Sequence, residues 1–106
     1  MKITFFDDKV EKFIHSLNPE TIARVLRTID LLETFGHRLG LPHSKKVERD
    51  LFELRIRGKQ EVRFFYTFQD GGIIVLHGFI KKSQRIPLGE LKNAREKLKI
   101  LRLDSR

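Results

Sequence analysis

Basic side chains begin and end the sequence of one predicted β-hairpin, RFFYTFQDGGIIVLHGFIKKSQR, residues 63–85. Arg63 opens the first strand, and Lys81, Lys82 and Arg85 follow the second. Because antiparallel strands joined by a tight turn bring these ends side by side, the cations should converge. Fixed cations held close together bind phosphate groups and stabilise negative charge that develops on them. The stretch therefore predicts a phosphate-binding site at the open end of the hairpin.

The elements that must position these cations begin with a short strand over Lys2–Phe6. Asp7 or Asp8 can cap a first helix, in which apolar residues recur at i, i+3, i+4 and i+7. Asn18-Pro19 predicts the start of a second helix that continues to Gly36. Residues 38–50 show no sustained period and are predicted to form a loop.

From Leu51 the apolar residues alternate with a period of two, which is typical of strands. Turns at Gly58-Lys59 and Asp70-Gly71 divide this region into a three-stranded antiparallel meander, and a basic helix follows Pro87. The prediction is a single α+β domain over residues 1–106, with an antiparallel sheet and an N-terminal helical hairpin and C-terminal helix packed on one face. The open face would then display a set of cations: Arg55, Arg57 and Arg63, with Lys81 and Lys82 at the strand end.

The net charge of +8 is unevenly distributed along the 106 residues. Residues 81–106 contain nine basic and three acidic side chains and so carry +6, whereas residues 1–50 and residues 51–80 carry +1 each. Such a field attracts phosphates or an acidic protein. A solvated basic helix that keeps the chain soluble is an equally good interpretation at this stage.

Composition limits the function classes further. The hydrophobic fraction is 40% and the charged fraction 34%, as in folded proteins. No apolar run approaches the roughly 20 residues of a membrane-spanning helix, and the start MKITFFDDKVEKF lacks the apolar core of a signal peptide. With no cysteine, and with no ligand spacing among His15, His37 and His43, a structural zinc site is not expected. The sequence predicts a cytoplasmic protein without disulfides.

Three short segments occur in a fixed order. LFELRI and EVRFFY lie within LGLPHSKKVERDLFELRIRGKQEVRFFYTF, and HGFIKKSQ ends the strand that follows, before the basic helix. In this arrangement the chain resembles the RelE/ParE superfamily of bacterial toxins, in particular its HigB-like, phage-related branch. The resemblance implies a toxin of a type II toxin-antitoxin module that cuts mRNA on the translating ribosome, without metal or cofactor. It also implies a cognate antitoxin, typically a helix-turn-helix protein from the adjacent gene.

Cutting RNA without a metal requires a base for the ribose 2′-hydroxyl, an acid for the leaving 5′ oxygen, and cations for the phosphate. The resemblance assigns phosphate and transition-state binding to Arg55 and Arg63, and places Lys81 and Lys82 where the family has its basic catalytic residues. His77 is a further candidate base, because its ordinary pKa lies near neutrality. Other basic residues are expected to bind RNA: Arg57, Lys45, Lys46, Arg85, Lys92 and Arg95.

Several alternatives stay open on the sequence. A tyrosine often follows the last strand in RelE-like toxins, but this chain has Ser83, Gln84 and Arg85 there, and its single tyrosine, Tyr66, has the parity of a core residue. His77 fits a structural role as well as a chemical one. A ParE-like inhibitor of DNA gyrase on the same fold, which does not cut RNA, and a non-catalytic RNA-binding module are the rival functions.

Overall fold

A five-stranded mixed sheet runs through the centre of the computed structural model, which describes residues 1–85 and 87–104. The strand order is β1-β5-β4-β3-β2, with β1 parallel to β5 and the other neighbours antiparallel. The strands are β1 (Ile3–Phe5), β2 (Ser44–Glu48), β3 (Leu51–Ile56), β4 (Val62–Gln69) and β5 (Gly72–Ile80). The strands that carry the predicted cations are therefore neighbours near the middle of the sheet.

The helices begin and end close to where their capping residues predict. Helix α1 spans Asp8–His15, and the Asp7 carboxylate accepts a hydrogen bond from the Lys9 backbone N–H at 3.1 Å. Helix α2 spans Pro19–Phe35 and ends at Gly36, whose φ of 51° is unfavourable for other residues. A short 3₁₀ turn, Gly36–Arg38, follows it, and α3 spans Leu88–Asp104. None of the helices in residues 1–85 and 87–104 is long and apolar enough to cross a membrane.

Two separate cores lie on the two faces of the sheet. Buried residues of α1 and α2 pack on one face against β3, β4 and β5: Val10, Ile14, Val25 and Leu32 contact a layer that contains Leu54, Phe64, Tyr66 and Val75. On the opposite face, α3 packs against the middle strands: Leu91 and Ala94 belong to a cluster with Phe65, Leu76 and Phe79. The α+β class is confirmed, but α3 covers the face that was predicted to be open. Strands β4 and β5 present large apolar side chains on both faces of the sheet, so each face needs a helix to bury it.

Strand β2 forms inside the segment that was predicted to be a loop. It pairs with β3 through Ser44↔Leu54, Lys45↔Glu53 and Lys46↔Phe52, and its register shifts between Lys46 and Glu48. The buried Ser44 hydroxyl also shares a hydrogen bond of 2.5 Å with the Tyr66 hydroxyl. An edge strand with a bulge needs little apolar alternation, because only part of it faces a core. This explains why the sequence pattern did not predict it.

The hairpin between β4 and β5 turns at Asp70 and Gly71, which have the positive φ values, 52° and 76°, that the predicted tight turn requires. The pairing then shifts, because Phe65 lies opposite His77 whereas Tyr66 lies opposite Val75. The extra residue in β5 changes which face the following side chains occupy. Val75 faces α1 and α2, but Phe79 packs on the α3 side. Regular alternation from Val75 would place His77 on the side of α1 and α2, but the bulge places it on the α3 side, where it pairs with Glu90.

Candidate functional site

A polar cleft of about 420 Å³ opens where β4 begins and β5 ends. The antiparallel register places Val62 opposite Ile80 and Arg63 opposite Phe79, so the start of β4 adjoins the residues that follow β5. The described residues that line the cleft are Arg57, Glu61, Arg63, Lys81, Lys82, Ser83 and Gln84. The structure thus brings together three of the predicted catalytic candidates, Arg63, Lys81 and Lys82.

Arg63 is the buried cation of this cleft, with a side chain only 4% exposed. Its Nη1 donates to the Val62 carbonyl at 3.0 Å and to Glu61 Oε2 at 3.2 Å. Its Nε is buried without a hydrogen-bond partner and lies 3.9 Å from Glu53 Oε1. Within the described residues no acceptor is bonded to Nη2, and this nitrogen is not fully buried. The guanidinium is therefore fixed at Nη1 and keeps donors for a ligand at Nη2.

Arg55 lies beside Arg63 in the sheet, because the two residues are cross-strand partners. The Arg55 Nε donates to Glu53 Oε1 at 2.8 Å, and the Arg55 side chain is 20% exposed. Arg55 does not line the cleft, but lines a second pocket of about 250 Å³ between α2 and β3 together with Arg24, Arg27 and Arg57. Arg57 lines both spaces and so connects them.

Two carboxylates that were not among the predicted site residues accompany these cations. Glu53 is 2% exposed and lies between Arg55 and Arg63, with its Oε2 buried and unpaired. Glu61 lines the cleft beside Arg63 and is 40% exposed. The signal was present in the alternation, because Glu53 has the parity of Arg55, and Glu61 the parity of Arg63.

The structure does not bring His77 into the cleft. His77 lies in a third pocket of about 230 Å³ between α1 and α3, lined also by Lys9, Asn93 and Lys97. Its Nε2 is hydrogen-bonded to Glu90 of α3. This contact gives His77 a structural partner on the helix that covers its face of the sheet.

The residues predicted to bind RNA occupy several surfaces. Lys45 and Lys46 are exposed on the edge strand β2, Arg85 is exposed after β5, and Lys92 is exposed on α3. Arg95 differs, because it donates to both carboxylate oxygens of Glu48 over 2.7–3.2 Å and so ties α3 to β2. These hydrogen bonds from Arg95 hold the pKa of Glu48 below its ordinary value.

Tyr66 is a core residue, as its parity predicted, and is 1% exposed. Burial raises the pKa of its hydroxyl above the ordinary value, while the hydrogen bond with Ser44 acts in the opposite direction. In the described part of the chain, the cleft therefore has no tyrosine, and its ionisable groups are arginine, lysine and glutamate.

A solved structure and a protein family each match most of the chain. A chain of the solved structure "Crystal structure of heterotetrameric complex of YoeB-YefM toxin-antitoxin from Staphylococcus aureus" is similar, with a TM-score of 0.53 and 17% sequence identity. The match covers 71% of this chain and 90% of that chain, and at this identity it shows a shared fold, similar to that of the YoeB toxin. No curated protein matches the sequence. Residues 12–99 match the family described as "Phage derived protein Gp49-like (DUF891)". The chain therefore belongs to the Gp49-like family of phage-derived proteins.

Proposed function

We propose that this protein is the toxin of a type II toxin-antitoxin module, in the HigB-like branch of the RelE/ParE superfamily. It would act as an endoribonuclease that cuts mRNA on translating ribosomes in the cytoplasm. The Gp49-like family and the fold shared with the toxin-antitoxin complex support the toxin role. The observation that carries the ribonuclease role is the buried Arg63, whose Nη2 keeps donors for a ligand in a cleft that also contains Lys81 and Lys82.

The cleft suits a metal-independent cleavage of the RNA backbone. In this reaction the ribose 2′-oxygen attacks the adjacent phosphorus and the 5′ oxygen leaves, while negative charge accumulates on the non-bridging oxygens. Arg63 would donate from Nη2 to one of these oxygens, and because its guanidinium is already fixed, little reorganisation is needed. Lys81 and Lys82, which line the same cleft, would add positive charge. The RNA backbone would be bound by Arg57, which also lines the cleft, and by the exposed Arg85, Lys92, Lys45 and Lys46.

A cognate antitoxin completes the proposal. The similar solved structure is a toxin-antitoxin complex, and residues 81–106 concentrate the positive charge of this chain. An acidic segment of the antitoxin, encoded by the adjacent gene, would cover the cleft and so block RNA from Arg63.

The test is a cell-free translation reaction in which new mRNA 5′ ends are mapped by primer extension. Wild-type protein should produce cuts only while ribosomes translate. Arg63→Ala should lower cleavage by about 10²–10³-fold, the usual loss when one donor to a developing oxyanion is removed. A Lys81→Ala/Lys82→Ala double variant should lower it as well.

Lys12→Ala is the matched control, because Lys12 is an exposed cation of α1 paired with Asp8 outside the cleft. It should cut like the wild type. Intact mRNA in a reaction whose ribosomes translate with wild-type protein present would overturn the ribonuclease proposal. The inhibition of DNA gyrase supercoiling would then be measured.

A further inference from the structure

A carboxylate projects into the cation cluster of the cleft. Of the described residues lining this space, Glu61 alone is acidic, and it immediately precedes β4. Its Oε2 lies 3.2 Å from Arg63 Nη1, so a phosphate bound by the same guanidinium would lie within a few ångströms of the carboxylate. The candidate site therefore contains a proton acceptor beside its principal phosphate donor.

The role of Glu61 as a simple anchor for Arg63 does not account for this arrangement. Arg63 already donates from the same Nη1 to the Val62 carbonyl and is 4% exposed, so β4 holds the guanidinium in place. Glu61 is 40% exposed, and a partly exposed ion pair contributes little to stability. The Glu61 side chain is, however, accessible to a substrate in the cleft that it lines.

Lys81 lies directly across from Glu61. The Lys81 backbone N–H donates to the Glu61 carbonyl at 2.7 Å, which extends the pairing of β4 and β5 one step beyond Val62↔Ile80. Directly opposed residues of antiparallel strands have Cβ atoms about 4.5–5.5 Å apart on the same face. Glu61 and Lys81 are thus neighbours across the two strands and line the same cleft, with the Glu61 carboxylate beside the guanidinium of Arg63.

We propose that Glu61 is the general base of the ribonuclease reaction and that Lys81 is its general acid. The inference rests on the proposed function and assigns the two proton transfers that it requires. Carboxylates and ammonium groups ordinarily have, at neutral pH, the protonation states that a base and an acid need. The structure favours Glu61 over His77 as the base, since His77 lies in another pocket and is paired with Glu90.

The chemical step is balanced without a metal or redox partner. Glu61 takes the proton of the 2′-hydroxyl as the 2′-oxygen forms its bond to phosphorus. The bond from phosphorus to the 5′ oxygen breaks, and Lys81 gives that oxygen a proton. The products are a 2′,3′-cyclic phosphate and a 5′-hydroxyl, and water returns the proton from Glu61 to Lys81.

The experiment measures single-turnover cleavage of mRNA on programmed ribosomes as a function of pH, together with cosedimentation of the protein with those ribosomes. Glu61→Gln should lower the cleavage rate by about 10²–10⁴-fold, the usual contribution of a general base. It should also abolish the rise of rate with pH on the acidic limb, while cosedimentation stays at the wild-type level. Glu61→Asp, which retains the carboxylate, should retain that limb and part of the rate.

Glu20→Gln is the matched control, because Glu20 is an exposed glutamate of α2 paired with Lys59, and its rate should equal that of the wild type. If wild type cuts, Arg63→Ala does not, and Glu61→Gln cuts at the wild-type rate, the assignment of the base is overturned and the ribonuclease function stands. A slower Glu61→Gln that keeps the wild-type acidic limb would show positioning rather than base catalysis, and would also overturn it. If the wild type leaves mRNA intact, the proposed function itself fails.

Discussion

Replacement of Glu53 by glutamine removes the buried negative charge that separates two arginines. Glu53 is 2% exposed, its Oε1 accepts from Arg55 Nε at 2.8 Å, and the Nε of the buried Arg63 is 3.9 Å away. Glutamine keeps the volume and one acceptor oxygen, but it places an NH₂ group where the unpaired Oε2 now lies. Glu53→Gln therefore changes the electrostatics of the cluster while leaving its packing nearly unchanged.

The magnitude follows from the burial of the three groups. Removing one partner of a buried ion pair costs about 3–5 kcal/mol, because the other charge is left uncompensated. Arg55 is 20% exposed, so water partly solvates it, and Arg63 keeps its contact with Glu61. We therefore expect the free energy of unfolding to fall by about 2–3 kcal/mol, at or below the low end of that range. Domains of this size have a total stability of about 5–15 kcal/mol, so the loss would be large.

The assay is urea denaturation followed by far-ultraviolet circular dichroism. With a slope of about 1–3 kcal/mol per molar urea, the midpoint of Glu53→Gln should fall by about 1–2 M, with the slope unchanged. The control Glu20→Gln breaks an exposed contact of 3.6 Å with Lys59 and should change stability by less than about 0.5 kcal/mol. A Glu53→Gln midpoint equal to that of the control would refute the reasoning, since it would mean that the two arginines do not need this counterion.

Three further predictions concern packing and pH. Gly78→Ala should destabilise the protein by about 1–3 kcal/mol, because the added Cβ would lie 2.6–2.8 Å from aromatic carbons of Phe13 and Phe64. Gly40→Ala is the control, since a Cβ at Gly40 meets no atom within 4 Å and should not lower stability. Urea midpoints measure both variants. Burial raises the pKa of the Tyr66 hydroxyl above 10.0. The stability that Tyr66 contributes is therefore complete below pH 10 and is lost as pH rises through the pKa of the folded state. Tyr66→Phe should flatten this alkaline decline of the unfolding free energy in unfolding titrations. The hydrogen bonds from Arg95 lower the pKa of Glu48 below 4.5. The stability from this pair is therefore present above pH 4.5 and is lost as pH falls through the pKa of the folded state. In Glu48→Gln, the free energy of unfolding should decline less steeply as the pH becomes acidic.

Local signals in the sequence predicted most of the helices and strands. The N-cap Asp7, the Asn18-Pro19 start and the Asp70-Gly71 turn each act within a few residues, and the structure has all three where they were expected. Features that depend on distant contacts were missed. Strand β2 depends on its pairing with β3, and an apolar stripe on α3 does not indicate which face of a sheet it will cover.

The bulge opposite Phe65 and Tyr66 illustrates the same limit for the candidate site. Alternation assigns a strand residue to a face only while the register is regular, and one extra residue reverses the assignment for everything that follows. His77 comes just after the irregularity in β5, so its environment could not be read from the parity of Ile73 and Val75. Arg63 lies in β4, which has no extra residue, so regular alternation gives it the same face as Phe65.

The net charge of the sequence does not reveal the two carboxylates of the site, because it does not show which cations are buried. A guanidinium that is 4% exposed cannot remain uncompensated, so the burial of Arg63 itself requires acidic neighbours on the same face. Alternation places such residues at Glu53 and Glu61, and the structure has one of them buried and the other open to the cleft. Glu53, enclosed between two arginines, is suited only to neutralising them. Glu61 neutralises Arg63 and also remains accessible, which is the combination that a general base beside a phosphate site requires.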